Sequence, residues 1–151
     1  MIRCLIVLLL AFLASSGPVA AQWPRLHARP PSFAFSGDSA TRLVRSWYRD
    51  FLSREPDPPG LRTHVTLLRQ GHPPEVVLAG ILGSDEYFQR AGRRSEAFVR
   101  ALFLDLAGRR PTPAELRHWR QRSRILGRQD VAYEMILRFP RAAQPDRRSG
   151  W

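Results

Sequence analysis

The strongest constraint on this chain is that part of it is written twice. Leu43-Val44-Arg45 through Leu82 aligns with Phe98-Val99-Arg100 through Leu137 at an offset of 55 residues. Val44 then matches Val99, Asp50 matches Asp105, Arg54 matches Arg109, Pro56 matches Pro111 and Pro58 matches Pro113. Further along, Leu61 matches Leu116, Arg62 matches Arg117, Val76 matches Val131, Ile81 matches Ile136 and Leu82 matches Leu137. Repeated units of this size stack as supersecondary modules, because neither buries its apolar stripe alone. Such modules bind or build more often than they catalyse.

The repeat also carries the secondary structure. Over residues 41–54 the apolar positions are Leu43, Val44, Trp47, Tyr48, Phe51 and Leu52; over 96–108 they are Phe98, Val99, Leu102, Phe103, Leu106 and Ala107. Both sets step by three or four and agree in phase, which predicts one amphipathic helix used twice. Pro56 and Pro111 end these helices, since the residue before a proline avoids the α region. Asp57 and Thr112 then fall at N-cap positions, with Pro58 and Pro113 opening the next helices. Thr112 and Glu115 form a capping-box pattern. Gly71 and Gly127 are expected to close these second helices. A third helix per repeat follows, through Val76, Val77, Ile81 and Leu82 and through Val131, Met135, Ile136 and Phe139. Ser84 is placed to cap one extra short helix over 85–90, before Gly92. No period-two alternation is long enough to argue for a strand. The expected fold is all-α: a compact bundle of about seven helices, from two tandem three-to-four-helix repeats sharing a core over residues 39–140.

The ends read differently. Arg3, the ten-residue apolar run from Leu5 to Ala14, and Val19-Ala20-Ala21 have the layout of a secretory signal over residues 1–21. The run is short for a membrane anchor, and no transmembrane span is expected after cleavage. Pro24, Pro30 and Pro31 make residues 22–38 a linker, and 141–151 read as a flexible arginine-rich tail. The expected location is outside the cytoplasm: secreted, periplasmic or at the cell surface. The chain has one cysteine, Cys4. The exported form is therefore expected to lack disulfides and thiol chemistry.

A formal charge of +11 suggests an anionic partner. All 24 basic residues are arginine, however, and asparagine is absent too. A coding bias toward GC-rich codons produces this pattern without selection for binding. Export also argues against nucleic acid as the partner, leaving protein or cell-envelope polymer.

One stretch points to a family. Tyr48, Leu52, Arg54, Pro56, Asp57, Gly60 and Leu61 follow a Tyr-x-x-x-Leu-x-Arg-x-Pro-Asp-x-x-Gly-Leu pattern, with Gly71 and Ser84-Asp85-Glu86-Tyr87-Phe88 downstream. This resembles the bacterial family known as domain of unknown function 4214, distantly like phycobilisome linker domains. The second copy is degenerate: Thr112 replaces the Asp, Glu115 the Gly, and Phe139-Pro140 the Ser-x-Glu segment. The usual tryptophan after Gly-Leu is His64 in the first copy and Trp119 in the second. The resemblance spans roughly residues 43–140. It implies an all-helical module of exported and cell-surface proteins without a known catalytic residue, with the second copy as structural partner to the first.

Candidate chemistry is sparse. Asp50–Arg54 and Asp105–Arg109 are spaced to pair along a helix, and a turn-stabilising role fits them better than ligand capture. Asp57 suits a cap better than calcium, lacking alternating oxygen ligands and a closing Glu. The motif residues Tyr48, Asp50, Arg54, Pro56, Asp57, Gly60, Leu61 and Gly71 thus read as structural. His27, His64, His72 and His118 lack zinc spacing, and no nucleotide or hydrolase motif appears. No catalytic, metal or cofactor-binding residue is assigned. The one asymmetric feature is Arg117, Arg120, Arg124 and Arg128, which form an arginine stripe suited to anionic groups if the helix continues that far. Three functions follow: a secreted, non-catalytic interaction module; a binder of anionic polymer or lipid headgroups through that stripe; or a small hydrolase without a recognisable motif.

Overall fold

The computed structural model describes residues 35–140, and within them the chain is all-helical. The signal, most of the linker and the tail lie outside the described residues. Helix α1 spans Gly37–Trp47, capped by the Ser36 hydroxyl, which accepts from the Ser39 amide. It buries Ala40, Leu43, Val44 and Trp47, the three-to-four spacing read from the sequence. The helix then widens into a π-turn over Tyr48–Leu52, and Ser53 takes the left-handed conformation at φ 53°. Its repeat counterpart, α5 (Ser95–Ala107), stays α-helical and ends at Gly108, also left-handed at φ 67°. The two copies therefore leave their first helix at the same residue, one with glycine and one with a strained serine.

Helix α2 (Pro58–Arg69) is capped by Asp57, whose carboxylate accepts from the Gly60 amide at 3.2 Å. Helix α6 (Pro113–Ile125) opens with the complete Thr112–Glu115 capping box. Gly71 closes α2 at φ 85°, with its own amide bonded to the Leu68 carbonyl and that of His72 to the Leu67 carbonyl. Gly127 does not do the same for α6. It has φ −66° and is the N-cap residue of α7 (Arg128–Arg138), while α6 ends through extended Leu126. The two copies thus turn differently between their second and third helices. Helices α3 (Pro74–Leu82) and α4 (Asp85–Arg90) complete the first copy, and the Ser84 hydroxyl caps α4 as expected.

In each copy the first helix packs on the second: α1 against α2, and α5 against α6. The copies meet through their third helices, since α3 packs more extensively against α7 than any other pair in the fold. Val77, Leu78, Ala79, Ile81 and Leu82 from α3 and Val131, Ala132, Met135 and Ile136 from α7 are all buried in one continuous core. Among the described residues helix α4 has no counterpart after α7. Its Tyr87 and Phe88 rings both stand edge-on to Phe98 of α5, with centroids 5.9 Å apart. It thereby ties the π-turn of one copy to the first helix of the other. The match of Leu82 with Leu137 breaks down here, for Leu82 is fully buried and Leu137 is 54 % exposed.

The closest approach is at Gly83, where a β-carbon would stand 2.6 Å from the Gln129 α-carbon and 2.8 Å from its amide nitrogen. Backbone there cannot give way. Gly80, three residues earlier in α3, has nothing within 4 Å of its would-be β-carbon. Gly83→Ala is therefore expected to destabilise the fold by about 1–3 kcal/mol through overpacking. Gly80→Ala should stabilise it by up to about 1 kcal/mol through helix propensity. Urea unfolding of the two variants checks this, and equal midpoints would contradict the packing described.

Candidate functional site

The motif residues converge on the exits of the two first helices. Because Ser53 and Gly108 turn the chain left-handed, Arg54 and Arg109 lie beyond their helices. Arg54 and Arg109 turn to acids on other helices. Arg54 reaches Glu86 of α4 through two bonds, Nε–Oε1 at 2.5 Å and Nη2–Oε2 at 2.6 Å. Arg109 reaches Glu115 of α6, at 2.8 and 2.7 Å. The guanidinium groups are otherwise placed alike. Arg54 donates to the Glu55 carbonyl and lies over the Tyr48 ring at 5.1 Å. Arg109 donates to the Arg110 carbonyl and lies over the Phe103 ring at 5.4 Å. Each exit is thus locked by a cation on a ring and a bidentate carboxylate.

The acid differs between copies for a steric reason. A β-carbon at Gly60 would meet the Tyr48 hydroxyl and the Asp57 carboxylate, each at 2.9 Å. A side chain there would displace both groups, so glycine suits the first copy, which draws its acid from α4. In the second copy Phe103 carries no hydroxyl, so Glu115 fits at the matching position and closes the lock locally. The arginine bonds hold both acids below their ordinary values: Glu86 is lowered mainly by Arg54, and Glu115 falls to about 2 through Arg109 and the Thr112 amide. His64 packs its ring against Tyr48 with centroids 5.9 Å apart, and burial lowers its pKa, favouring the neutral ring.

The arginine stripe is not one helix face. Helix α6 stops at Ile125, and Arg128 begins α7, where it pairs with Asp85 at 2.5 Å and lies over Phe88 at 4.6 Å. It joins α7 to α4. Arg120 pairs with Glu96 at 3.3 Å, and the neighbouring Arg122 pairs with Glu134. Arg117 and Arg124 are exposed and make no ion pair among the described residues.

A cleft of about 290 Å³ opens where α4, α5 and the π-turn meet. The repeat-matched Asp50 and Asp105 both line it, with Ser53, Tyr87 and Arg90. Arg90, Ser53, Tyr87 and Asp105 are held by hydrogen bonds, whereas Asp50 makes no side-chain hydrogen bond or ion pair among the described residues. Arg90 donates to the Leu52 carbonyl and, at 2.9 Å, to the Ser53 hydroxyl, so it closes the end of the π-turn. The Tyr87 hydroxyl donates to Asp105 at 2.6 Å, and burial together with that carboxylate raises its pKa far above the ordinary tyrosine value. Arg90, Tyr87 and Glu86 all lie on α4, which has no second copy among the described residues to compare it with.

Among the described residues no group of three or more His, Cys, Asp or Glu side chains is placed to hold a metal ion, and no helix is long and apolar enough to cross a membrane. Comparison with protein-family models, curated proteins and solved structures finds no match to this chain.

The locked exits make an electrostatic prediction. Side-chain NMR should titrate Glu115 at about 2, and Arg109→Ala should move it up toward the ordinary glutamate range. Because the folded value is depressed, the contribution to stability is present above about 4.5, the ordinary value, and is lost as pH falls through about 2. A Glu115 titration unchanged by Arg109→Ala would contradict the lock.

Proposed function

We propose that this chain is a non-catalytic helical interaction module that works outside the cytoplasm, secreted, periplasmic or at the cell surface. Its proposed build is two tandem copies of the domain of unknown function 4214 module, the second degenerate. The observation that carries this reading is the pair of arginine locks. Arg54 and Arg109, the motif's most chemically assertive groups, are each spent on a ring, a carbonyl and a carboxylate inside the fold. Asp57 caps α2, and Gly60 makes room for Tyr48. The motif thus specifies a scaffold, and recognition falls to its outer faces.

The cleft supports the same reading over the hydrolase alternative. Its tyrosine is held protonated, and Arg90 is occupied with backbone and serine oxygens. Neither is poised to move a proton near neutral pH.

Two measurements test the proposal together. Mass spectrometry of the exported protein should find Gln22 at the N-terminus. The processed chain should saturably retain an envelope component from extract. Intact Met1 in a cytoplasmic fraction would overturn the location. Turnover of an ester, phosphoester or glycoside substrate that is lost in Asp50→Asn would overturn the non-catalytic reading.

A further inference from the structure

Resting on that reading, we propose that the outer face of α6 is a docking surface for an anionic phospholipid membrane. Helix geometry turns about 100° per residue, which sets Arg117, Gln121, Arg124 and Ile125 on one arc with Arg120 at its edge. All five are exposed, and no carboxylate of α6 shares the arc. Three of the acids nearby are already engaged: Glu115 holds Arg109, Glu134 holds Arg122, and Glu96 holds Arg100 and Arg120. Asp130, beside Gly127 past the end of α6, is exposed and makes no ion pair among the described residues. Arg117 and Arg124, seven residues apart, stand about 10 Å from each other along the helix. Each presents a planar guanidinium that matches a phosphate in a bidentate pair.

Charge alone would suit any polyanion. Ile125 selects among them. It is 72 % exposed, the most exposed of the large apolar side chains among the described residues, and it follows Arg124 directly at the end of α6. An apolar side chain set beside cations at a helix end fits the headgroup–acyl boundary of a bilayer, where arginines take phosphates and the apolar group leaves water.

The fold supplies its own comparison. Helix α2 carries Arg62 and Arg69 where α6 carries Arg117 and Arg124. Both are exposed, neither makes an ion pair among the described residues, and α2 contains no acid. The residue matching Ile125 is Gln70. The two helices thus share their arginine spacing and differ in the apolar tip.

The test is cosedimentation of the exported chain with vesicles of phosphatidylcholine alone or mixed with phosphatidylglycerol, beside retention on immobilised polyphosphate. Every variant shares the same termini, and circular dichroism checks that helicity is kept. The wild type should bind the anionic vesicles and not the neutral ones. Arg117→Gln with Arg124→Gln should weaken vesicle binding by about tenfold or more. Ile125→Ser should weaken vesicle binding several-fold and leave polyphosphate retention unchanged. Arg62→Gln with Arg69→Gln should weaken vesicle binding much less than the α6 pair. Equal losses from the two arginine pairs would reduce the effect to net charge and overturn the proposal. An Ile125→Ser variant that binds vesicles like the wild type would assign the face to a soluble polyanion instead. Failure of the wild type to bind anionic vesicles would also overturn it. That failure would leave the module reading standing, since export, capture and turnover decide that separately.

Discussion

The fold depends on two short apolar helices lying backbone to backbone. Gly83 caps the end of α3, and a side chain there would strike Gln129 at the start of α7. That approach lets Leu78, Ile81 and Leu82 share one core with Val131, Met135 and Ile136. Without it, each copy would be a few short helices with an open apolar edge, too small to offset the entropy of ordering its chain. The other joins are secondary to this seam. Helix α4 docks its aromatic rings on α5, and Arg128 ties α7 back to α4 through Asp85 and Phe88.

Duplication also let the copies solve one local problem in two ways. Both leave their first helix through a left-handed residue, and both put an arginine over an aromatic ring at the exit. In the first copy the Tyr48 hydroxyl and the Asp57 carboxylate crowd position 60, where glycine stands, and the arginine takes its acid from α4. In the second, Phe103 carries no hydroxyl, and Arg109 takes its acid from Glu115 of α6 instead of from α4. The degeneracy of the second motif is thus a coherent exchange of three positions. It also leaves α6 with no acid except Glu115, which Arg109 occupies, so the outer arginines of α6 face solvent uncompensated.

Much of this was legible in the sequence. The apolar stripes gave the helices and their buried faces, and Ser84, Asp57 and Thr112 cap as their side chains predict. What failed did so where local spacing was asked to fix a tertiary partner. Asp50 and Arg54 have helical spacing, yet one left-handed residue at Ser53 breaks the register between them. The true partner, Glu86, lies 32 residues away and becomes visible only once α4 is docked. Arg128 shares the phase of the α6 arginines, but extended Leu126 ends that helix and hands it to α7. The π-turn over Tyr48–Leu52 had no signal, since the matching segment of the second copy has similar periodicity and stays α-helical.

The shared core is tested most directly by native-state hydrogen exchange on Ile136→Ala, a cavity made on the α7 side of the seam. Such a truncation should cost about 2–5 kcal/mol. If the seam joins the copies into one cooperative unit, slow amides in α1 and α3 should lose as much protection as those in α5 and α7. Protection lost in α5–α7 alone, with α1–α3 exchanging as in the wild type, would show that the copies fold independently and would contradict the account.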